Sequence, residues 1–449
     1  MNPRLGDIAD LLLAAATRYG ATAADVVVAE SDTLDVSVRL GQIEQLKQAR
    51  QKHLGLRVFV GERSAITSSA DFSRDALDRL AEETCALARV IAPDPFSGLP
   101  DPTELATAIP DLDLFDPDVE RVTAEQAIAW ATEAERAALD ADARITNSEG
   151  GECSVSTSHV LYGSTLGFRG DYRDSGVSLS AVPVAAQNGS MQRDYWYSAQ
   201  RKLARLDRPE SIGRTAAHRV LRRLNARRVS TCEVPVIFDP ETAGGLLRHL
   251  AAAVSGYALY KGTSFLIDKL GQRIAPEFVS IVDDGTIPSA LGSKPFDGEG
   301  LKTRRTVVVD RGVLSSYLFD TYSARKRQRQ STGNAARSVG SPPHVAPTNL
   351  ILQPGTTSPE EIIKSVKSGL YVTELIGFGV NPVTGDYSRG AVGQWIENGE
   401  LAYAVEEITI AGNLLRMYEG IEAIGNDLEL RHSIAAPTIK LARMTVAGS

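Results

Sequence analysis

Cysteine is scarce: Cys85, Cys153 and Cys232 are the only three in 449 residues, and they lie far apart. An odd, scattered set excludes a disulfide framework and a CxxC metal knuckle, and it fits a reducing compartment. None has a histidine close in sequence to activate it, so each reads as a small buried apolar residue rather than a nucleophile. Long apolar runs are missing too. The longest, Leu11 to Ala16 and Leu250 to Val254, fall well short of the ~18 residues of a membrane span. A secretory leader is not written either: Arg4 is followed by a short apolar patch, but Asp7 and Asp10 interrupt it. Leu5, Ile8, Leu12 and Ala15 recur at helical spacing instead, which predicts an amphipathic first helix. Positive charge is not in excess, with 48 basic against 56 acidic residues and a net charge of -8. Such a molecule repels nucleic-acid phosphates, so neither direct nucleic-acid binding nor membrane attachment is expected, and a cytoplasmic location is.

Signatures of catalysis are absent as well. The chain has no GxSxG elbow, no Walker A loop and no HExxH. Gly377-Phe378-Gly379 lacks the third glycine and the following helix of a dinucleotide fingerprint. Glu406 and Glu407 point to opposite faces if they lie in a strand, which makes them a poor acid-base pair.

What is present predicts an α+β protein in two parts, residues 1–228 and 229–449. The first reads as helices packed on antiparallel meanders, with the order helix, meander, helix occurring twice. Strand-like runs at 26–28, 34–38, 42–48 and 53–60 carry turn signals at Gly41, Gly55 and Gly61. A second meander over 144–200 has turn signals at Glu149-Gly150-Gly151, Gly163, Gly170-Asp171 and Asn188-Gly189. Between them, residues 91–117 hold six prolines and read as an irregular surface crossing. Helix 123–139 begins on the capping-box pattern Thr123 to Gln126. Helix 209–227 sets Ile212, Ala216, Val220 and Leu224 on one face and five arginines elsewhere, which predicts a solvated or interface surface. The second part reads as mainly antiparallel β with hairpin turns at Asp310-Arg311-Gly312 and Glu397-Asn398-Gly399. Its one long helix, over 240–256, follows a strand at 232–238 and opens on Asp239, Pro240, Glu241 and Thr242.

That strand and helix, with Arg248, His249 and Ala253 on the helix, are followed by Asp283-Asp284-Gly285, the segment Phe296 to Thr303, Ser331 to Ala335, Asn381 to Ser388, Ile396 to Glu400 and Gly425-Asn426-Asp427. In this order they resemble the TldD/TldE (PmbA) family of peptidase subunits, formerly described as modulators of DNA gyrase. In TldD-type subunits the helix carries His-Glu-x-x-x-His, which holds zinc and supplies the water-activating Glu, and a Cys after the Gly-Asn-Asp phrase is a third ligand. The aligned positions here are Arg248, His249 and Ala253, and no Cys follows Cys232. A hydrolytic zinc site needs about three protein ligands and an open water position. Arg248 repels a cation, Ala253 has no lone pair, and His249 alone is no site. His432 stands in the C-terminal region with no second ligand nearby in sequence.

The resemblance therefore implies a TldE/PmbA-like subunit with no catalytic and no metal-binding residues of its own. Its partner would be a TldD-like subunit that carries the zinc, the two enclosing a cavity in which peptides or small amides are cleaved, in peptide-antibiotic maturation or antibiotic biosynthesis. Candidate residues facing that cavity are Asn381, Tyr387, Ser388, Arg389, Ser331 and Asn334. For 381–390 a plain structural turn is the alternative, and for 323–340 the choice is a mobile solvated loop or a lid over substrate. Two other functions remain open: a self-sufficient, metal-independent amide hydrolase, and a regulatory binding protein acting on DNA gyrase.

Overall fold

The computed structural model describes residues 5–448; Met1 to Arg4 and Ser449, including the early arginine weighed above, lie outside the described residues. The first part runs α1 (Leu5–Arg18), β1 (Ala23–Arg39), β2 (Gln42–Val60), β3 (Arg63–Ser69), α2 (Arg74–Val90), α3 (Pro117–Glu120), α4 (Ala124–Leu139), β4 (Ile145–Ser164), β5 (Arg169–Gln187), β6 (Ser190–Arg193), β7 (Trp196–Gln200) and α5 (Pro209–Leu221). The two helix-meander-helix units share one antiparallel sheet in the order β3-β2-β1-β4-β5-β6, with β7 also on β5. They are joined by β1 pairing with β4 from Asp25 opposite Ser164 to Val38 opposite Gly151.

The strands are longer than the local pattern suggested. Residues 26–38 are a single strand, and so are 42–60. Gly41 and Gly61 do turn the chain, at φ 73° and 60°, the left-handed region glycine enters freely. Gly55 does not turn. It sits inside β2 because a Cβ there would lie 1.6 Å from the Val339 carbonyl oxygen, so its bare backbone lets the second part of the chain approach. Likewise Gly163 and Gly170-Asp171 lie within strands, and Glu149-Gly150-Gly151 is a bulge in β4 rather than a turn.

Alternation along these strands sorts the sheet into two faces. Val26, Val28, Leu54, Leu56, Val58 and Leu161 meet α1 and α2, while Leu34, Val36, Val38, Cys153, Val155, Val177 and Leu179 meet α4 and α5. Helices thus cover one face only. On the other face Val27, Tyr162 and Phe168 receive Phe296 from the second part, with Phe296 edge-on to Phe168 at 5.4 Å and to Tyr172 at 5.5 Å.

The second part begins with β8 (Cys232–Phe238), α6 (Pro240–Ala253) and α7 (Gly256–Lys261), then β9 (Ile281–Asp284), β10 (Arg305–Asp310), β11 (Val313–Leu314), α8 (Thr321–Lys326), β12 (Ala335–Ala336), β13 (His344–Val345), β14 (Leu350–Leu352) and α9 (Pro359–Lys364). It ends with β15 (Ser368–Ile376), β16 (Asp386–Glu397), β17 (Glu400–Asn413), α10 (Leu414–Glu419), β18 (Ile421–Ile424), β19 (Ile434–Ala435) and β20 (Ile439–Ala447). Its main sheet is β17-β16-β15-β8-β20-β18 and a second is β11-β10-β9-β14-β19. All pairings in both are antiparallel except β15 with β8 and β14 with β19. The architecture is therefore α+β with a β-rich second part. The predicted hairpin turns form, with Asn398 and Gly399 at φ 52° and 84°.

Two stretches are more ordered than their sequence implies. Residues 323–340 are neither free loop nor lid: Ser323, Ala324, Ser331, Asn334 and Ala335 are buried, and only 327–330 form a continuous exposed run. Lys326 lies over the rings of Phe96 at 4.2 Å and Tyr322 at 5.3 Å, which ties the proline-rich crossing onto α8. The arginine-rich face of α5 is interface rather than solvated surface. Arg219 turns inward, its Nε 3.4 Å from Asp194 and its Nη1 3.6 Å from Asp239, the residue that caps α6.

The deepest charge network joins the two parts. Asp25 on β1 is fully buried, accepts from Arg57 on β2 and from Tyr162 at 3.2 Å, and takes Arg337 Nη1 at 2.7 Å. Burial works to raise the Asp25 pKa, but Arg337 and Arg57 together hold it below the usual carboxylate range. Arg57 also lies 3.8 Å from the buried Glu299, which accepts the Thr321 N–H at 2.9 Å. Removing one member of such a group leaves an uncompensated buried charge. Arg337→Met is expected to cost about 3–5 kcal/mol in urea unfolding. Arg18→Ala, which breaks the exposed pair with Asp78 and a stacking on Tyr19, should leave the midpoint nearly unchanged; equal effects from the two would contradict the assignment.

Candidate functional site

Helix α6 forms where its sequence dictates. Asp239 accepts the Thr242 N–H at 2.9 Å, Pro240 occupies the first turn, and Leu246, Leu247, Leu250 and Ala251 are buried in the core of the second part. Ala253 is the last helical residue, and at Ser255 the chain turns into α7. The remaining face of α6 borders a cleft of about 980 Å³ between the two parts of the chain. Glu241, Gly245 and Arg248 of α6 form one wall with residues 373–376 of β15 and Arg389 of β16. The other wall comes from the first part: residues 147–149 of β4, residues 191–193 of β6 with the link 194–195, and Arg223. His432 closes one end, and behind it lies a smaller cavity of about 170 Å³ that shares Glu241 and His432.

The cleft is rich in charge, and most of its acids are already matched. Glu149 pairs with Arg193 at 3.1 Å and Glu374 with Arg223 at 2.7 Å. Glu241 accepts from the Tyr197 hydroxyl at 2.9 Å and lies 3.7 Å from His432 Nε2, which also bonds to Tyr197. Burial pushes Glu241 upward, but the hydrogen bonds from His432 and Tyr197 outweigh it and hold the carboxyl below its ordinary value. Burial and then the Glu241 charge drive the Tyr197 phenol well above its ordinary range, so it is no nucleophile near neutral pH.

The three positions singled out on α6 differ in setting. Arg248 is exposed to the cleft. His249 is half-buried behind it, edge-on to Tyr387 with ring centroids 5.9 Å apart. Burial, then Arg389, then Arg248 lower the His249 pKa, which keeps the ring neutral at pH ~7. Ala253 is buried, and its carbonyl accepts the Ser264 hydroxyl at 2.7 Å. His432 gains a neighbour that the sequence does not reveal, in Glu241. Two such side chains still fall short of the about three a hydrolytic zinc needs. Among the described residues, no three His, Cys, Asp or Glu side chains gather as a metal-binding group. This donor set does not fit a catalytic zinc.

Of the six candidate cavity residues, Arg389 lines the cleft. Tyr387 lies beneath it in the core of the second part, its hydroxyl buried with no partner among the described residues. Asn381 is exposed and accepts the Val383 N–H at 2.9 Å in a turn, and Ser388 is exposed on β16. Ser331 and Asn334 are buried elsewhere: Ser331 donates to the Phe319 carbonyl at 3.2 Å, and Asn334 donates to Asp283 at 2.6 Å. The structure does not bring these six together. It adds Tyr197, Arg193, Arg223 and Glu374, which no local pattern marks because they arrive from distant elements.

Comparison with known proteins follows this geometry. Residues 24–88, 117–224 and 231–448 match the first, central and C-terminal domains of the family described as PmbA/TldA metallopeptidase. A protein of Escherichia coli named metalloprotease PmbA is 40% identical over 425 residues, covering 95% of this chain and 92% of that protein. A crystal structure from Bacteroides thetaiotaomicron, described as a candidate modulator of DNA gyrase, superposes with a TM-score of 0.92 at 28% identity over 99% of both chains. TldE from Thermococcus kodakarensis shares the fold, with a TM-score of 0.88 at 22% identity over 98% of this chain and all of that one.

The buried Asn334 generates a pH-dependent expectation. Burial raises the Asp283 pKa to about 6, against hydrogen bonds from Asn334 and Thr348 that lower it. The folded value lies above the unfolded one, so ionising Asp283 in the fold costs stability that grows as pH rises from about 4 to about 6 and is fully felt above that. The Asn334 amide offsets part of that cost only once the carboxylate has formed. Asn334→Ala is thus expected to lose about 1.5–3 kcal/mol at about pH 8 and clearly less at about pH 5 in urea titrations. An equal loss at both would show that Asn334 does not act on the ionised carboxylate.

Proposed function

Because the chain belongs to the PmbA/TldD metallopeptidase family, we propose that it is the non-catalytic subunit of a heterodimeric zinc metallopeptidase. A TldD-like partner supplies the zinc, its ligands and the water-activating carboxylate. This chain supplies one side of the cavity in which extended peptides or small amides are held. The observation that carries the reading is the set of side chains on α6 at the positions that carry zinc ligands and the catalytic Glu in TldD-type subunits: Arg248, which lines the cleft, His249, half-buried behind it, and the buried Ala253. A guanidinium beside the place a dication would occupy costs Coulomb energy, and an alanine methyl offers no lone pair.

What the chain contributes is shape and hydrogen bonding. The cleft is large enough for a short peptide, its rim carries the exposed apolar side chains Met191 and Ile376, and its walls carry fixed charges. A cavity closed by a second subunit admits unfolded segments and excludes folded proteins. Peptide-antibiotic maturation or antibiotic biosynthesis in the cytoplasm is the setting we assign to it. The described residues include no helix long and apolar enough to cross a membrane. A self-sufficient hydrolase is disfavoured because the sequence carries no nucleophile signature and Tyr197, hydrogen-bonded to the cleft residue Glu241, has its phenol pushed up by burial and by the Glu241 charge. The net charge of -8 disfavours a direct role on DNA.

Peptidase activity is measured on unstructured peptides with this chain alone, with a TldD-like subunit alone, and with the two mixed. Activity is expected to be greatest in the mixture and absent from this chain alone. Turnover by this chain alone would overturn the proposal.

A further inference from the structure

Every carboxylate that lines the cleft has a cationic or hydrogen-bonding partner, but not every cation has a carboxylate. Arg193 and Arg223 are paired with Glu149 and Glu374, and Arg39 gives its Nε to the Ser148 carbonyl at 2.8 Å with Glu44 at 3.7 Å. Arg248 makes no hydrogen bond or ion pair among the described residues although it projects from α6 into the cleft. Arg389 donates through Nη2 to the Leu375 carbonyl at 3.2 Å, and among the described residues it meets no carboxylate and its buried Nε has no partner. The two arginines come from adjacent elements of one wall and both act on His249, which lies between α6 and Tyr387. Their charge is not cancelled by that ring, because the neutral imidazole brings no negative charge. A neighbourhood with two uncompensated guanidinium groups, one of them partly desolvated, is built to receive an anion.

We infer that Arg248 and Arg389 form a carboxylate-binding subsite that holds the C-terminal carboxylate, or an acidic side chain, of a peptide lying in the cleft. A planar carboxylate matches the fork of a guanidinium, and among the described residues Arg389 has a backbone carbonyl as its acceptor and no other. The apolar rim at Met191 and Ile376 leaves room for uncharged side chains of the same ligand. The inference rests on the reading of the cleft as a peptide-holding cavity and specifies which end or side chain of the peptide it grips. The subsite also gives Arg248 a role of its own at a position where the TldD-type subunits place a zinc ligand.

The test uses one unstructured peptide in three forms: free C-terminus, amidated C-terminus, and amidated with Asp as its last residue. Binding is measured by calorimetry to the full chain alone and mixed with a TldD-like subunit, and cleavage is measured in the mixture. The free-acid form is expected to bind about 10-fold or more tightly than the plain amide. That preference should shrink with added salt and vanish in Arg248→Ala, a change at an exposed position that leaves the core untouched. Equal preference for the Asp amide and the free acid shows that the subsite takes either carboxylate; preference for the free acid alone assigns it to the terminus, and preference for the Asp amide alone assigns it to side-chain carboxylates. Equal binding of all three forms overturns the inference, as does failure of all three to bind. Should the mixture cleave all three forms equally well, the subsite is refuted while the partner role stands.

Discussion

One buried carboxylate, Asp25, and the two guanidinium groups that hold it govern how the molecule is assembled. Asp25 and Arg57 belong to the first sheet, Arg337 to the second part of the chain, and all three are buried. None of these charges tolerates the interior alone, so the two parts are obliged to meet where the charges neutralise one another. Bare backbone at Gly55 and the insertion of Phe296 among Phe168 and Tyr172 are the packing that lets them meet. A second network, Arg219 with Asp194 and Asp239, ties α5 to the cap of α6. Between these two anchors the cleft is left open, with α6 as its wall and strands of the first part opposite.

The position of α6 gives the cleft its chemistry. A strand-to-helix corner capped by Asp239 presents Glu241, Gly245 and Arg248 to one side while leucines seal the other. On such a frame, side chains at three helix positions decide whether the wall binds a dication. Here they are a cation, a neutral half-buried imidazole and a methyl group, and the acids nearby are engaged by arginine, tyrosine and His432. The wall is therefore electropositive where a metal site would be electronegative. The family is one of metallopeptidases, and the proposal that another subunit supplies the chemistry rests on these side chains of α6.

Much of this was legible in the sequence, and what was not has physical causes. The α+β class, the helix starts at Thr123 and Pro240, and the hairpin at Asn398-Gly399 follow from local rules of capping and turn geometry, and the structure shows them. Strand lengths in the first part were hidden because Glu30 to Thr33 and Gln48 to Lys52 are polar yet paired within the sheet. Glycines at 55, 163 and 170 imitated turns although all three lie inside strands, Gly55 and Gly170 where a Cβ would collide with its neighbours. Whether the arginines of 209–227 face solvent or an interface stayed open in the sequence because the acidic partners of Arg219 and Arg223, namely Asp194, Asp239 and Glu374, are remote in it. The same remoteness hid Tyr197 beside Glu241 and His432, whereas Arg248 and Arg389 were visible from the motifs that contain them.

We propose that the side chains of α6 exclude zinc from this chain. The deciding measurement is the metal content of the purified chain, by elemental analysis after dialysis against zinc and then against metal-free buffer, alone and in complex with a TldD-like subunit. No stoichiometric zinc is expected in the isolated chain, and the zinc of the complex is expected on the partner. Tightly held zinc equal to the amount of the isolated chain would refute the proposal.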